Sequence, residues 1–164
     1  MAKTKYIFVD LDETLIHCDT WNDEPIKGSK VITLEHNDTY RALMRPGALE
    51  LLKALRAIAP CYILTAAVQN YAEGWNKVFR LGFDKSDIYH RKDISNLKIK
   101  ESKFPNAQTY LIDNLPRHEN RSKIEFLREI DSVPKYFNIK PFYGFETQNL
   151  TQEMIQEIVD FTNE

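Results

Sequence analysis

Tyr6-Ile7-Phe8-Val9-Asp10-Leu11-Asp12-Glu13-Thr14-Leu15 is the stretch that decides how this chain folds. Its first four residues are apolar, rich in β-formers and without polar alternation. That pattern predicts a short strand buried on both faces. The run then breaks abruptly into acidic residues. Two later segments repeat the arrangement: Cys61-Tyr62-Ile63-Leu64 ends at Thr65, and Thr109-Tyr110-Leu111-Ile112 ends at Asp113-Asn114. Helical stripes lie between them. Pro46 stands at a favoured first helical position, followed by Ala48, Leu51, Leu52, Leu55 and Ile58, with Pro60 as the stop. Val68, Tyr71, Ala72, Trp75, Val78 and Phe79 form a second apolar stripe, closed by Gly82. Strands alternating with helices predict βαβ units and an α/β fold around a central, mainly parallel sheet. In such sheets ligands bind outside the carboxyl ends of the strands. Asp10, Thr65 and Asp113 are therefore expected at one edge.

The rest of the chain fills in around this frame. Residues 17–44 are polar and irregular, and Val31–Leu34 and Thr39–Leu43 flank His36-Asn37-Asp38 as a small β-hairpin insertion after the first strand. A short strand is expected near Ile88-Tyr89, a basic loop from Arg91 to Lys103, and a weaker helix from Arg121 to Ile130. The aromatic-rich segment from Lys135 to Phe145 should hold the last strand, with Phe137, Phe142, Tyr143 and Phe145 packed in the core. Leu150, Met154, Ile155, Ile158 and Val159 mark a C-terminal helix. The 164 residues suit a single domain, and 43% apolar with 28% charged residues is an ordinary globular balance. The 24 acidic and 22 basic residues leave a net charge of −2, which disfavours a broad nucleic-acid footprint. No apolar run approaches the roughly 20 residues of a membrane span. The N-terminus is not a signal peptide, so a cytoplasmic location is expected. Cys18 and Cys61 are then expected as free thiols.

Asp10 and Asp12 are two residues apart, just past a strand; if the backbone stays extended their side chains share a face. Two close carboxylates repel, and a divalent cation relieves the repulsion. Mg²⁺ suits such a pair, because it takes one or two carboxylates together with phosphate oxygens and water. Asp113 is a third candidate oxygen ligand, and the lack of clustered His or Cys argues against zinc. The plainer alternative is a pair of surface aspartates capping a turn. An EF-hand loop lacks support, since the Gly and terminal Glu spacing is missing.

The string Phe8-Val9-Asp10-Leu11-Asp12-Glu13-Thr14-Leu15 resembles the first signature of haloacid-dehalogenase-like (HAD-like) phosphatases. Followed by Ile16-His17, it is similar to the FCP/SCP-type (NLI-interacting-factor-like) branch that dephosphorylates the RNA polymerase II C-terminal domain. Arg45-Pro46-Gly47, Leu64-Thr65-Ala66-Ala67 with Tyr71-Ala72, Lys92-Asp93-Ile94-Ser95, and Leu111-Ile112-Asp113-Asn114 with Pro116 resemble that branch too, in family order. The resemblance implies a three-layer Rossmannoid fold and a Mg²⁺-dependent phosphomonoesterase. Asp10 would be the nucleophile that forms an aspartyl-phosphate. Asp12 would be the general acid and then the base. The metal would be held by Asp10, by Asp12 through its backbone carbonyl, and by Asp113, with Asn114 orienting the acidic cluster or a metal-bound water. Thr65 and Ala66 would receive the phosphoryl group. A loop lysine would neutralise developing charge. Lys92 is the expected one, through its Lys-Asp-Ile-Ser context, ahead of Lys98, Lys100 and Lys103. Apart from the resemblance, Arg41 and Arg45 are placed near the mouth, either to attract an anionic substrate, with Arg45 as the substrate-binding candidate, or as plain surface residues.

Members of this branch act on phosphoserine in proline-containing peptides, so the resemblance implies a phosphoprotein substrate. The insertion shows no residue-by-residue match that would carry this over. Trp21 is its candidate substrate contact, while Tyr71 and Trp75 are expected in the core. A nucleotide or nucleic-acid end, met by the same chemistry, is the second substrate class. A non-catalytic binding module is the third option; retention of both Asp10 and Asp12 speaks against it.

Overall fold

The computed structural model describes residues 2–164. Five parallel strands form the central sheet: β1 (Thr4–Val9), β5 (Cys61–Leu64), β6 (Ile88–Tyr89), β7 (Ala107–Asp113) and β8 (Lys135–Asn138), in the order β6-β5-β1-β7-β8. The three strands expected to deliver polar groups are the three central ones. A separate antiparallel sheet, ordered β2-β4-β3, is formed by β2 (Ile16–Cys18), β3 (Lys30–Thr33) and β4 (Thr39–Met44). The insertion is thus three-stranded, and its first strand starts directly after the acidic motif.

Strand alternation builds two cores. Ile7 and Val9 of β1, Cys61 and Ile63 of β5, and Tyr110 and Ile112 of β7 point to one face. There they meet α1 (Ala48–Arg56), α2 (Gln69–Val78) and α5 (Gln152–Thr162) through Leu51, Leu55, Trp75, Ile155 and Ile158. Tyr6, Phe8, Tyr62, Leu64 and Leu111 point to the other face, against Ile94 of α3 (Arg91–Ser95) and Ile124 and Leu127 of α4 (Arg121–Arg128). Helix, sheet and helix make three layers, and strands covered on both sides explain the unbroken apolar runs.

Three expectations need correction. The basic stretch from Arg91 to Lys103 is not a loop throughout: it holds α3 and a 3-10 turn at Glu101–Lys103. Ile94 supplies the apolar contact, and His90 and Asp93 close a capping box that compensates for the helix's short length. Tyr143 and Phe145 are not core residues but stand 46% and 63% exposed, because the chain after Asn138 has left the sheet. Arg45 does not face the mouth of the site. It is fully buried, donating from Nε to the Gln148 carbonyl (2.7 Å) and from Nη1 to the carbonyls of Thr14 (3.2 Å) and Lys140 (2.8 Å).

Gly47 takes a φ of +95°, and a Cβ there would lie 2.5 Å from the Leu150 carbonyl oxygen. Leu150 donates its N–H to Pro46 (2.8 Å). Only glycine lets the C-terminal segment seat this closely on the start of α1.

Candidate active site

Backbone register brings the polar residues together before any side chain acts. Val9 pairs with Ile63 on one side and Ile112 on the other, so Asp10, Thr65 and Asp113 leave adjacent strands at the same edge. After Asp10 the chain winds around one carbonyl: Leu11 accepts from Thr14 (3.3 Å), Leu15 (2.9 Å) and Ile16 (3.2 Å). Glu13 enters the left-handed region at φ 63° to allow it. The turn carries the Thr14 hydroxyl back to Asp10, where it donates to Oδ2 at 3.0 Å.

The centre of the site is a cation that the sequence reading missed. Lys123, on α4, donates its ammonium to Asp10 Oδ1 and to Asp113 Oδ2, at 2.7 Å each. All three residues are buried. Asp113 Oδ1 accepts from the Leu115 N–H (3.0 Å). With its amide nitrogen turned toward the acceptors, Asn114 donates to Asp10 Oδ2 (2.8 Å), to Thr14 Oγ1 (3.2 Å) and to the Asp12 carbonyl (3.2 Å). Asp10 thus has both oxygens hydrogen-bonded and is fixed in one orientation. A signal for Lys123 was present in the sequence. Asn120, Lys123, Ile124 and Leu127 are spaced as one helical stripe, and all are buried. A lysine among apolar stripe positions needs a carboxylate partner.

Asp12 is held differently. Its Oδ1 accepts from the hydroxyl of Tyr71 at 2.7 Å. Tyr71 lies on the apolar stripe of α2, as expected, and packs edge-on against Tyr40 of β4 and Trp75. Its ring belongs to the core, while its hydroxyl serves the site. No spacing rule separates such a tyrosine from one that is core alone.

The electrostatics follow from burial and from one cation shared by two carboxylates. Burial pushes the proton affinity of Asp10 up; Lys123 opposes this, Asp113 reinforces it, and the net shift is upward. Burial also raises Asp12, against the lowering effect of the Tyr71 hydrogen bond. Burial alone would lower Lys123, but Asp10 and Asp113 outweigh it, so the amine stays protonated beyond the usual lysine range.

The remaining expected residues are placed as follows. Thr65, buried at the end of β5, accepts from the Ala67 N–H through Oγ1 (3.1 Å), which leaves its hydroxyl hydrogen free to donate. Ala66 and Asp12 line one cavity of about 410 Å³ together with Tyr40, Tyr71 and Arg91. Lys92 is exposed and lines a groove beside Glu35, Gln69 and Glu73 that adjoins the Asp12 cavity at Val68 and Arg91. Lys98 and Lys100 are exposed, and Lys103 donates to the Ser86 carbonyl (2.8 Å). None of the four is hydrogen-bonded to Asp10, whereas Lys123 is. His17 bonds Glu13 (2.7 Å) within the turn, and Trp21 is 93% exposed on the insertion.

The donor set suits a hard divalent cation. Asp10 and Asp113 face a common point, and one ammonium cannot neutralise both charges. Among the described residues no three His, Cys, Asp or Glu side chains gather around a common metal position, so further protein ligands must be carbonyl or amide oxygens. The Asp12 carbonyl can fill that role; Asn114, expected as a ligand, presents its amide nitrogen to Asp10 and to that carbonyl and so orients the cluster instead.

Comparison with known proteins gives this arrangement a lineage. Human CTD small phosphatase-like protein is 30% identical over 128 residues, covering 68% of this chain and 43% of that protein; its mouse counterpart gives the same figures. The chain therefore spans less than half the length of these curated relatives. Two structures of the RNA polymerase II CTD phosphatase Fcp1, the first from fission yeast, share the fold at 17% identity. One, bound to beryllium fluoride, matches with a TM-score of 0.59 over 98% of this chain and 50% of that one. The other matches with a TM-score of 0.57 over 98% and 48%. Residues 5–158 match the family described as NLI interacting factor-like phosphatase, and the chain belongs to that family.

Proposed function

We propose that this chain hydrolyses phosphate monoesters through a phosphorylated Asp10, with phosphoserine or phosphothreonine in proteins as its substrate class. The observation that carries the reading is the clamp of Lys123 on Asp10 and Asp113, with Asp12 held beside it by Tyr71. The substrate class is supported by the relatives, described as CTD phosphatases.

Asp10 attacks phosphorus; its carboxylate oxygen bonds to phosphorus as the ester P–O bond breaks. Asp12, whose burial favours the protonated form, gives its proton to the leaving alcohol. As a carboxylate it then takes a proton from water, whose oxygen attacks phosphorus, releasing phosphate and restoring Asp10. Lys123 offsets charge on the transferring group, and the free Thr65 hydroxyl hydrogen donates to a phosphoryl oxygen. Thr14 and Asn114 keep the Asp10 carboxylate from rotating. With Asn114 orienting Asp10 through its amide nitrogen, the carboxylates of Asp10 and Asp113 and the Asp12 carbonyl would hold Mg²⁺. When bound, it would reduce the repulsion between an anionic nucleophile and an anionic ester.

The test is hydrolysis of a chromogenic aryl phosphate with and without Mg²⁺. Turnover is expected to depend on the metal and to fall at least a thousandfold in Asp10→Asn. Full activity in Asp10→Asn would overturn the covalent step.

A further inference from the structure

Helix α4 carries Lys123 into the catalytic centre on one face. On its solvent face it carries Arg121 and Arg128, exposed and seven residues apart. With Arg117 and His118 of the preceding turn they line a cavity of about 500 Å³, in which Glu125 is the one acidic residue. Among the described residues no carboxylate lies within ion-pair distance of Arg117, Arg121 or Arg128. Arg117 spends one nitrogen on the Pro134 carbonyl (3.2 Å). Three arginines gathered around one glutamate, on a chain of net charge −2, make a local anion receptor.

This cavity adjoins the catalytic mouth through residues that line neighbouring grooves. Glu125 also lines a neighbouring groove of about 410 Å³, together with Ser122, Ile94, Leu97, Ala66 and Arg91. Ala66 and Arg91 in turn line the cavity that holds Asp12. Arg91 is pinned at the junction by its Nε bond to the Ala66 carbonyl (2.8 Å), and its terminal nitrogens stay free to meet an anion. The track from Asp12 to Arg128 is therefore basic at its junction and its far end, and aliphatic or small between, with Glu125 as the one acidic residue on the way.

We infer that this track binds a peptide carrying a second phosphate, which Arg121 and Arg128 grip while the first is hydrolysed at Asp10. The inference rests on the phosphatase reading of the site. Guanidinium groups suit it, since they meet phosphate with paired N–H donors. The middle of the track has no aromatic ring on which a base would stack, and its Ile94 and Leu97 side chains suit a peptide better than a nucleic-acid strand.

The experiment measures binding of fluorescein-labelled peptides by anisotropy, in EDTA so that nothing turns over. The peptides carry one phosphoserine, or two separated by two to six residues. In the wild type the second phosphate is expected to tighten Kd about tenfold at one spacing or more. In Arg121→Ala/Arg128→Ala that gain should vanish, while the singly phosphorylated peptide binds as before. Arg128→Glu should weaken the doubly phosphorylated peptide further. The inference is overturned if no spacing shows a gain, if the gain survives in the double variant, or if only a 5′-phosphorylated oligonucleotide depends on these arginines. Aryl phosphate hydrolysis is assayed in parallel. Its absence in the wild type would sink the phosphatase reading, while the anisotropy result would still decide the role of the arginines.

Discussion

Lys123→Met is the perturbation that interrogates the site most directly. Methionine fits the volume and the apolar neighbours Ile124 and Leu127, so the change isolates the charge. It leaves Asp10 and Asp113 buried, facing each other without the ammonium that each contacts at 2.7 Å. Removing one partner of a buried ion pair costs about 3–5 kcal/mol. For a chain of this size that is roughly 6–20 °C in Tm. Urea unfolding at pH 7 measures it. The pH dependence has a definite sign. The proton affinity of Lys123 is raised on folding, so its stabilisation is complete below the ordinary lysine range and is lost only as pH climbs past the raised value. Asp10, also raised, favours the fold most below the ordinary carboxylate range and less as pH rises through its folded value. The deficit of the variant should therefore shrink toward acid, where Asp10 is protonated folded or unfolded. Mg²⁺ should stabilise the variant more than the wild type, because the carboxylates no longer share a competing ammonium. A Lys123→Met protein within 1 kcal/mol of wild type at pH 7 would refute the clamp.

Other outcomes follow from the same geometry. Tyr71→Phe removes a hydrogen bond that lowers the proton affinity of Asp12, so the alkaline limb of the kcat/KM profile should move to higher pH; an unmoved limb would detach Tyr71 from the acid. Lys92→Ala should retain aryl phosphate turnover within about twofold, because its side chain is exposed and Lys123 already holds Asp10; an inactive variant would restore the loop lysine. Arg45→Ala should lower stability by about 2–3 kcal/mol in urea, since one buried and two partly buried carbonyls lose their donor together. Gly47→Ala should destabilise by more than about 1 kcal/mol, through a positive φ and a 2.5 Å clash with the Leu150 carbonyl oxygen, read by thermal unfolding.

The sheet was legible because each central strand is short, apolar on both faces and terminated by a polar residue. Asp10, Thr65 and Asp113 therefore declared their shared edge. What could not be read has physical reasons. Lys123 acts across 113 residues of sequence from Asp10, and its stripe position became meaningful only once a carboxylate partner was known. The helix at Arg91–Ser95 is five residues long and rests on a cap and one isoleucine, too little periodicity to register. Tyr143 and Phe145 looked like core because they follow a strand, yet the chain turns outward before them. Arg45 is charged and flanks a motif, which suggested an anion. Its Nε and Nη1 are committed to main-chain oxygens instead, and its buried Nη2 has no hydrogen-bond partner.

Arg45 and Gly47 also set a rule for re-engineering this scaffold. One side chain spans the turn after Asp10 at Thr14, the connection at Lys140 and the tail at Gln148, and two residues later the backbone admits Leu150 where no methyl group fits. Grafting a foreign tail, or opening a new terminus between positions 138 and 150, would cut the moorings of the loop that aims Asp10. A circular permutant with its break in the exposed stretch around Trp21 keeps all of those moorings.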